Sequence, residues 1–184
     1  MLRSIVEERS QNLVVMDVFS KLIQDRIIFI DDIIDSELAN NIIAQLLILN
    51  SLSKTETINI YINSPGGSCT DGLAIYDIAK VIQAPIRTTC VGTAASMAAV
   101  LMFMGKERCA LKHSRMMFHE VSGGFDGKTK DMEIYFKVMK ELQSELFDII
   151  SENSQITNPE DLFKLDTWYT ASAAKELGII DTIL

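Results

Sequence analysis

The chain of 184 residues lacks the marks of several functional classes. No apolar run is long enough to cross a bilayer, and the start, Met1-Leu2-Arg3-Ser4-Ile5, soon meets Glu7 and Glu8, so neither a membrane span nor a secretory leader is expected. Basic residues are in the minority, 17 Lys and Arg against 25 Asp and Glu; the net charge of −8 argues against a nucleic-acid backbone as partner. Cys69, Cys90 and Cys109 are an odd number without metal-ligand spacing, which speaks against a disulfide framework or a zinc site and suits a reducing cytoplasm. No stretch of the GxxxxGK[ST] type is present, so ATP chemistry would have to come from another protein. Repeats, low-complexity tracts and linkers are absent too. With 48% hydrophobic residues, the expectation is one domain with a substantial core.

What is present concentrates in a few short stretches. In Gly92-Thr93-Ala94-Ala95-Ser96-Met97-Ala98-Ala99 one serine stands among small residues, between a strand read at Arg87–Val91 and an apolar helix read from Met97 to Met104 with Gly105 as its C′ residue. An isolated serine in such a place is ordinarily an N-cap. It is also where free helix N–H groups and the positive dipole end can stabilise an oxyanion, which makes Ser96 a candidate nucleophile. The turn Asn63-Ser64-Pro65-Gly66-Gly67 follows the β-rich segment Ile58–Ile62; its bare backbone can approach a ligand closely and offer N–H donors, held by a helix read from Asp71 to Ile82.

The chain has two histidines. His113 lies in a polar turn with Lys112, Ser114 and Arg115. His119 ends the apolar strand Arg115–Phe118 just before Ser122-Gly123-Gly124, a suitable place for a general base. Its neighbour Glu120 points to the other face of an extended chain and cannot easily orient that imidazole, so a distant carboxylate has to serve. Asp166, in Lys164-Leu165-Asp166-Thr167-Trp168, is by spacing alone an ordinary turn or capping residue. Cys69 lies close to the Pro-Gly-Gly turn, but no helix start or histidine is visibly aimed at it, and it reads as a wall of the cleft.

Helices alternate with strands near 26–30, 57–62, 87–91 and 108–118, which predicts an α/β domain with a mostly parallel sheet. Asp35 and Ser36 supply N-cap chemistry for a helix to about Asn50 with Leu38, Ile42, Leu46 and Leu49 on one face. A long helix is predicted from about Lys130 to Glu152. Tyr135, Met139, Leu142, Leu146 and Ile149 make a stripe on it, which by itself reads as core-facing. Phe136, Val138, Phe147 and Ile150 widen the apolar surface enough to predict burial beyond its own domain.

Ile62-Asn63-Ser64-Pro65-Gly66-Gly67, Gly72 with Ile75-Tyr76-Asp77, Gly92 through Ala99, Ser114-Arg115 followed by His119, and Gly178-Ile179-Ile180-Asp181 together resemble the ClpP family, the proteolytic subunits of the caseinolytic protease. Asp25-Arg26-Ile27-Ile28-Phe29 and Ala39-Asn40 with Ala44-Gln45-Leu46-Leu47 extend the likeness, which covers nearly the whole chain. The resemblance implies a crotonase-like superhelix of βαβ units over residues 1–184, with an N-terminal pore segment at about residues 1–20 and a protruding helical handle at about 121–155. It implies a serine endopeptidase without cofactor, with Ser96 as nucleophile, His119 as base, Asp166 as orienting acid and the N–H groups of Gly67 and Met97 as oxyanion donors. A polypeptide substrate would lie as an added strand between residues 67–70 and 121–124, touching Ser68, Cys69, Thr70, Val121 and Ser122. The implied assembly is two stacked heptameric rings fed by a Clp-type AAA+ unfoldase, in the cytoplasm, with no nucleic-acid, membrane or metal partner.

Some positions depart from the family pattern. Glu120-Val121 stands where the family has Gln-Pro, so the loop beyond the base loses a rigid proline and gains a charge. Lys164-Leu165 stands where many members carry an acid and an arginine that pair across the rings. Asn59 replaces an aromatic residue beside Tyr61, at the surface pocket that receives an unfoldase loop. Two alternatives stay open: a ring subunit without activity of its own, or a crotonase-type acyl-CoA enzyme on the same fold.

Overall fold

The computed structural model describes residues 4–9 and 12–184. Strands β1 (Ser4–Arg9) and β2 (Asn12–Asp17) pair antiparallel into a ribbon that runs into α1 (Val18–Gln24). These lie in the expected pore segment, whose remaining residues 1–3, 10 and 11 fall outside the described residues. Then follow β3 (Ile27–Ile30), α2 (Ser36–Leu52), β4 (Ile58–Ser64), α3 (Cys69–Val81), β5 (Ile86–Ala95) and α4 (Met97–Leu101), which continues as a 3-10 turn over Met102–Met104. The chain goes on through β6 (Glu107–Ala110), β7 (Arg115–Phe118), α5 (Thr129–Asn153), α6 (Glu160–Phe163), β8 (Thr167–Thr170), α7 (Ala171–Glu176) and β9 (Thr182–Ile183).

The main sheet runs β3-β4-β5-β6-β9, all parallel. The ten residues of β5 serve two partners: Arg87–Cys90 pair with β6, and Thr93–Ala95 pair with β7, which in turn pairs antiparallel with β8. The predicted strand near 108–118 is therefore two strands. Ser114 makes the break: its buried hydroxyl donates to the Cys90 carbonyl at 2.8 Å, in a turn that carries the chain from one half of β5 to the other.

Local chemistry sets the element ends. The Asp35 carboxylate accepts from Leu38 N–H at 2.9 Å and starts α2, whose buried face is Ala39, Ile42, Leu46 and Leu49. Leu38 packs at the margin of the core instead of within it. Ser68 caps α3 by accepting from Asp71 N–H at 3.3 Å, so that helix begins at Cys69, two residues before the predicted start. Gly105 closes the segment after α4 with φ −75°, an ordinary backbone angle, so it is not a left-handed C′ residue. Glycine is required there because a Cβ would lie 2.6 Å from Thr88 Oγ1.

Ile28, Ile30, Ile58, Ile60 and Ile62 fill one face of the sheet under α2 and α3, and all of α4 is buried behind β5. Helix α5 buries Leu146, Ile149 and Ile150, all in its last third. The earlier turns stand off the body, with Phe136 59% and Ile134 64% exposed. Leu146, of the stripe that reads as core-facing, is 3% exposed and belongs to the core of its own chain, and so does Ile150, which the sequence grouped with the residues that widen the surface.

Candidate active site

Register brings the candidate nucleophile and the candidate base together. Ala95 pairs with Met117, and Ser96 N–H donates to Met117 C=O at 2.8 Å, so the residue after β5 is held against the strand that ends one residue before His119. Ser96 Oγ and His119 Nε2 are 2.8 Å apart. Ser96 has φ 55° and ψ −127°, in the positive-φ region that residues with a Cβ seldom adopt. Its side chain makes no cap hydrogen bond to α4. The hydroxyl is turned away from the capping role that its position suggests, and toward the imidazole. Such strain is held only where the surroundings over-determine it, here by the ladder to β7 on one side and α4 on the other.

The turn before α3 packs against this elbow. A Cβ on Gly66 would lie 2.5 Å from Ala95 C=O and 2.7 Å from Ser96 Cβ, so the close approach requires glycine. Ser64 supports the turn from beneath: its buried hydroxyl donates to Asp32 C=O at 2.6 Å and accepts from Gly66 N–H at 3.1 Å. Ile34 N–H donates to Gly66 C=O at 2.9 Å and Ser68 N–H to Ile34 C=O at 2.8 Å, a parallel bridge centred on Gly67. That bridge uses the groups on either side of Gly67 and leaves the Gly67 N–H unused. Met97 is the first residue of α4, so its N–H has no acceptor within the helix.

Gly67, Ser96, Met97 and His119 line one cleft together with Cys69, Val121 and Ser122. Val100, Leu146 and Phe163 form its apolar floor and Glu120 stands at its rim. Val100 and Phe163 had no role in the sequence reading and Leu146 none at the cleft, because which cavity an apolar helix residue faces is set by packing between distant elements. Ser68 and Thr70 do not line the cleft; Ser68 caps α3 and Thr70 lies in its first turn. The extended edge expected over 67–70 thus ends at Ser68, since residues 69 and 70 are already helical. Burial raises the Cys69 thiol above its ordinary value, so at neutral pH it remains protonated and a poor nucleophile.

Asp166 stands apart from the pair. Phe118 is opposite Thr167 in the β7–β8 ladder, and one further step of that register would set His119 opposite Asp166. The ladder stops short of that step. Asp166 is exposed and makes no hydrogen bond or ion pair to His119. Beside it Leu165 is 76% exposed, and Lys164 is paired with Asp161 of its own chain.

A hydroxyl held by an imidazole on neighbouring strands, at the mouth of an apolar cleft, puts the protein among hydrolases that work through a serine nucleophile. The Clp protease family model matches residues 9–184. The chain is 46% identical over 188 residues to the ATP-dependent Clp protease proteolytic subunit of Bacteroides thetaiotaomicron, covering 98% of this chain and 84% of that protein. It is 45% identical over 185 residues to the subunit of the same name from Porphyromonas gingivalis, covering 98% and 83%. With the proteolytic subunit 1 of Salinibacter ruber it shares 40% over 184 residues, covering 98% and 79%. The chain belongs to the Clp protease family. It is a peptidase with that family's mostly parallel α/β fold, and the acyl-CoA reading is set aside.

Proposed function

We propose that the chain is the subunit of a self-compartmentalising serine endopeptidase that degrades unfolded polypeptides. The 2.8 Å contact between Ser96 Oγ and His119 Nε2 is the observation that carries this reading. With Nε2 unprotonated, the hydroxyl donates to it and passes its proton to the ring as Oγ attacks the scissile carbonyl. The Gly67 and Met97 N–H groups stabilise the oxyanion, and the imidazolium then gives its proton to the leaving amine. Water, activated by His119, releases the acyl-enzyme. Asp166, one step beyond the β7–β8 ladder and not in contact with His119 in this structure, would hold the imidazole in the productive tautomer once that step of the ladder forms. The reaction uses the chain's own groups and no cofactor, with ATP consumed by an AAA+ unfoldase partner in the cytoplasm. An extended substrate lies against Gly67 on one side and 121–124 on the other, with a side chain of the substrate over Cys69, Val100 and Leu146.

The unfoldase docks on the apolar groove formed by Phe19, Ile23, Phe29 and Leu38, which the Phe29–Tyr61 stack at 5.4 Å supports from the sheet. The exposed turns of α5 support two stacked heptameric rings in which handles interdigitate. Lys164-Leu165 offers no pair across the rings, so ring contact relies on apolar faces and is expected to withstand rising salt. Replacing Phe136 by Asp is expected to release single rings with loss of activity, because a charge is then desolvated at the contact. Replacing Leu146 by Asp is expected instead to lower the melting temperature of the subunit itself, since that side chain is in the core. Sedimentation velocity over a sodium chloride series, with thermal melts, checks both; stable double rings of Phe136→Asp with normal turnover would overturn the handle assignment.

A second reading, a ring subunit of low resting activity, is favoured by the exposed and unpaired Asp166. Fluorogenic peptide turnover by wild type and Asp166→Asn distinguishes the two. If Asp166 orients the base during turnover, the variant loses on the order of 10³- to 10⁴-fold in kcat. Equal turnover by both proteins would remove Asp166 from the machinery.

A further inference from the structure

We infer that Gln143 is a positioning residue for the catalytic base, acting from helix α5 through the main chain of Val121. From Glu120 to Gly127 the main chain makes a single hydrogen bond among the described residues: Val121 N–H donates to Gln143 Oε1 at 2.7 Å. Elsewhere that loop is tied to α5 by packing, with the Phe125 ring stacked on Tyr135 at 5.1 Å. Val121 is two residues beyond His119 and lines the cleft beside Ser96. The amide of Gln143 therefore fixes the point at which the chain leaves β7, and with it the backbone that aims the imidazole and the wall that meets the substrate.

The other end of the same side chain identifies what the residue is for. Gln143 Nε2 is buried without a partner, the only such side-chain atom among the described residues. An orphaned buried donor is unfavourable, so stability of the helix alone would favour an apolar residue of the same size. Gln143 is explained by its acceptor, and that acceptor has one client, the Val121 N–H. The contact also ties Val121 to the helix whose earlier turns stand exposed.

The inference rests on Ser96 and His119 as the reacting pair, and its test separates from theirs. In Gln143→Met the acceptor is gone but the shape is kept. Peptide turnover is expected to fall about tenfold in kcat with KM little changed, and the melting temperature to stay level or rise. Hydrogen exchange in the 119–127 peptide is expected to gain one fast amide. Val121→Pro removes the N–H itself, so in that background Gln143→Met should cost nothing further, which shows that the loss runs through this one bond; the fall in kcat at a level melting temperature is what a merely structural role would not produce. If Val121→Pro does not fold, the exchange and kinetic data on Gln143→Met decide alone. Wild-type kcat in Gln143→Met, or loss of assembly in step with activity, would overturn the proposal. Were Ser96→Ala still active, the pair itself would be wrong, whatever Gln143 does.

Discussion

Ser96→Ala protein is expected to lose peptide hydrolysis by on the order of 10⁴- to 10⁶-fold while folding and assembling as wild type. The expectation of intact folding comes from the hydroxyl's surroundings: its partner is His119 Nε2, and it makes no bond to the helix it precedes. Alanine meets the same unfavourable backbone angles as serine, so the elbow keeps its strain and its ladder to Met117. His119→Ala should be nearly as damaging, because nucleophile and base act as a unit and their losses do not add. A fluorophosphonate probe should label wild type at Ser96 and leave Ser96→Ala unlabelled. Substantial turnover by pure Ser96→Ala protein would remove the nucleophile assignment.

Gly67→Ala is expected to lower kcat by at least 10²- to 10³-fold, the loss that follows from misplacing one oxyanion donor. The cause is steric. A Cβ at residue 67 would overlap the Ile34 carbonyl oxygen and come within 2.7 Å of Ile34 N. Backbone cannot rotate out of the way as a side chain can, so the turn must retreat and stretch the two bonds that join Ile34 to Gly66 and Ser68. Gly72 offers the contrast: its neighbours are side-chain atoms of Met97, which can shift. The measurement is kcat and KM on a fluorogenic peptide together with the melting temperature. A Gly67→Ala enzyme with wild-type kcat would mean that the residue 67 N–H does not face the developing charge.

How much of the site was legible differs from residue to residue. Ser96 and His119 could be named from sequence because each carries a local mark, a serine before an apolar helix and a histidine at the end of an apolar strand. Their contact could not, since it depends on Ala95 pairing with Met117 across twenty-two positions. Asp166 has no local mark, and the register that sets it one step beyond Thr167 belongs to the β7–β8 ladder. Ile150 and Phe136 both belong to the residues that widen the apolar surface of α5. One is core and the other is exposed, because the body of the domain reaches only the last third of that helix. Gln143 left no trace in the pattern, being one polar residue among many on a long helix.

Sequence by itself determined the α/β class, the helix start written in Asp35, and the glycine turn, and it singled out Ser96 and His119 as candidates. These follow from interactions within a few residues: periodicity of burial, side-chain caps, and the bare backbone of Gly66-Gly67. Only the tertiary structure decided that β5 divides its length between β6 and β7, that Ser96 faces the imidazole in place of its own helix, and that Ile34 and Gln143 hold the loops on either side. Those outcomes rest on ladders and packing between segments tens of residues apart, whose free energy exists only once the sheet has formed.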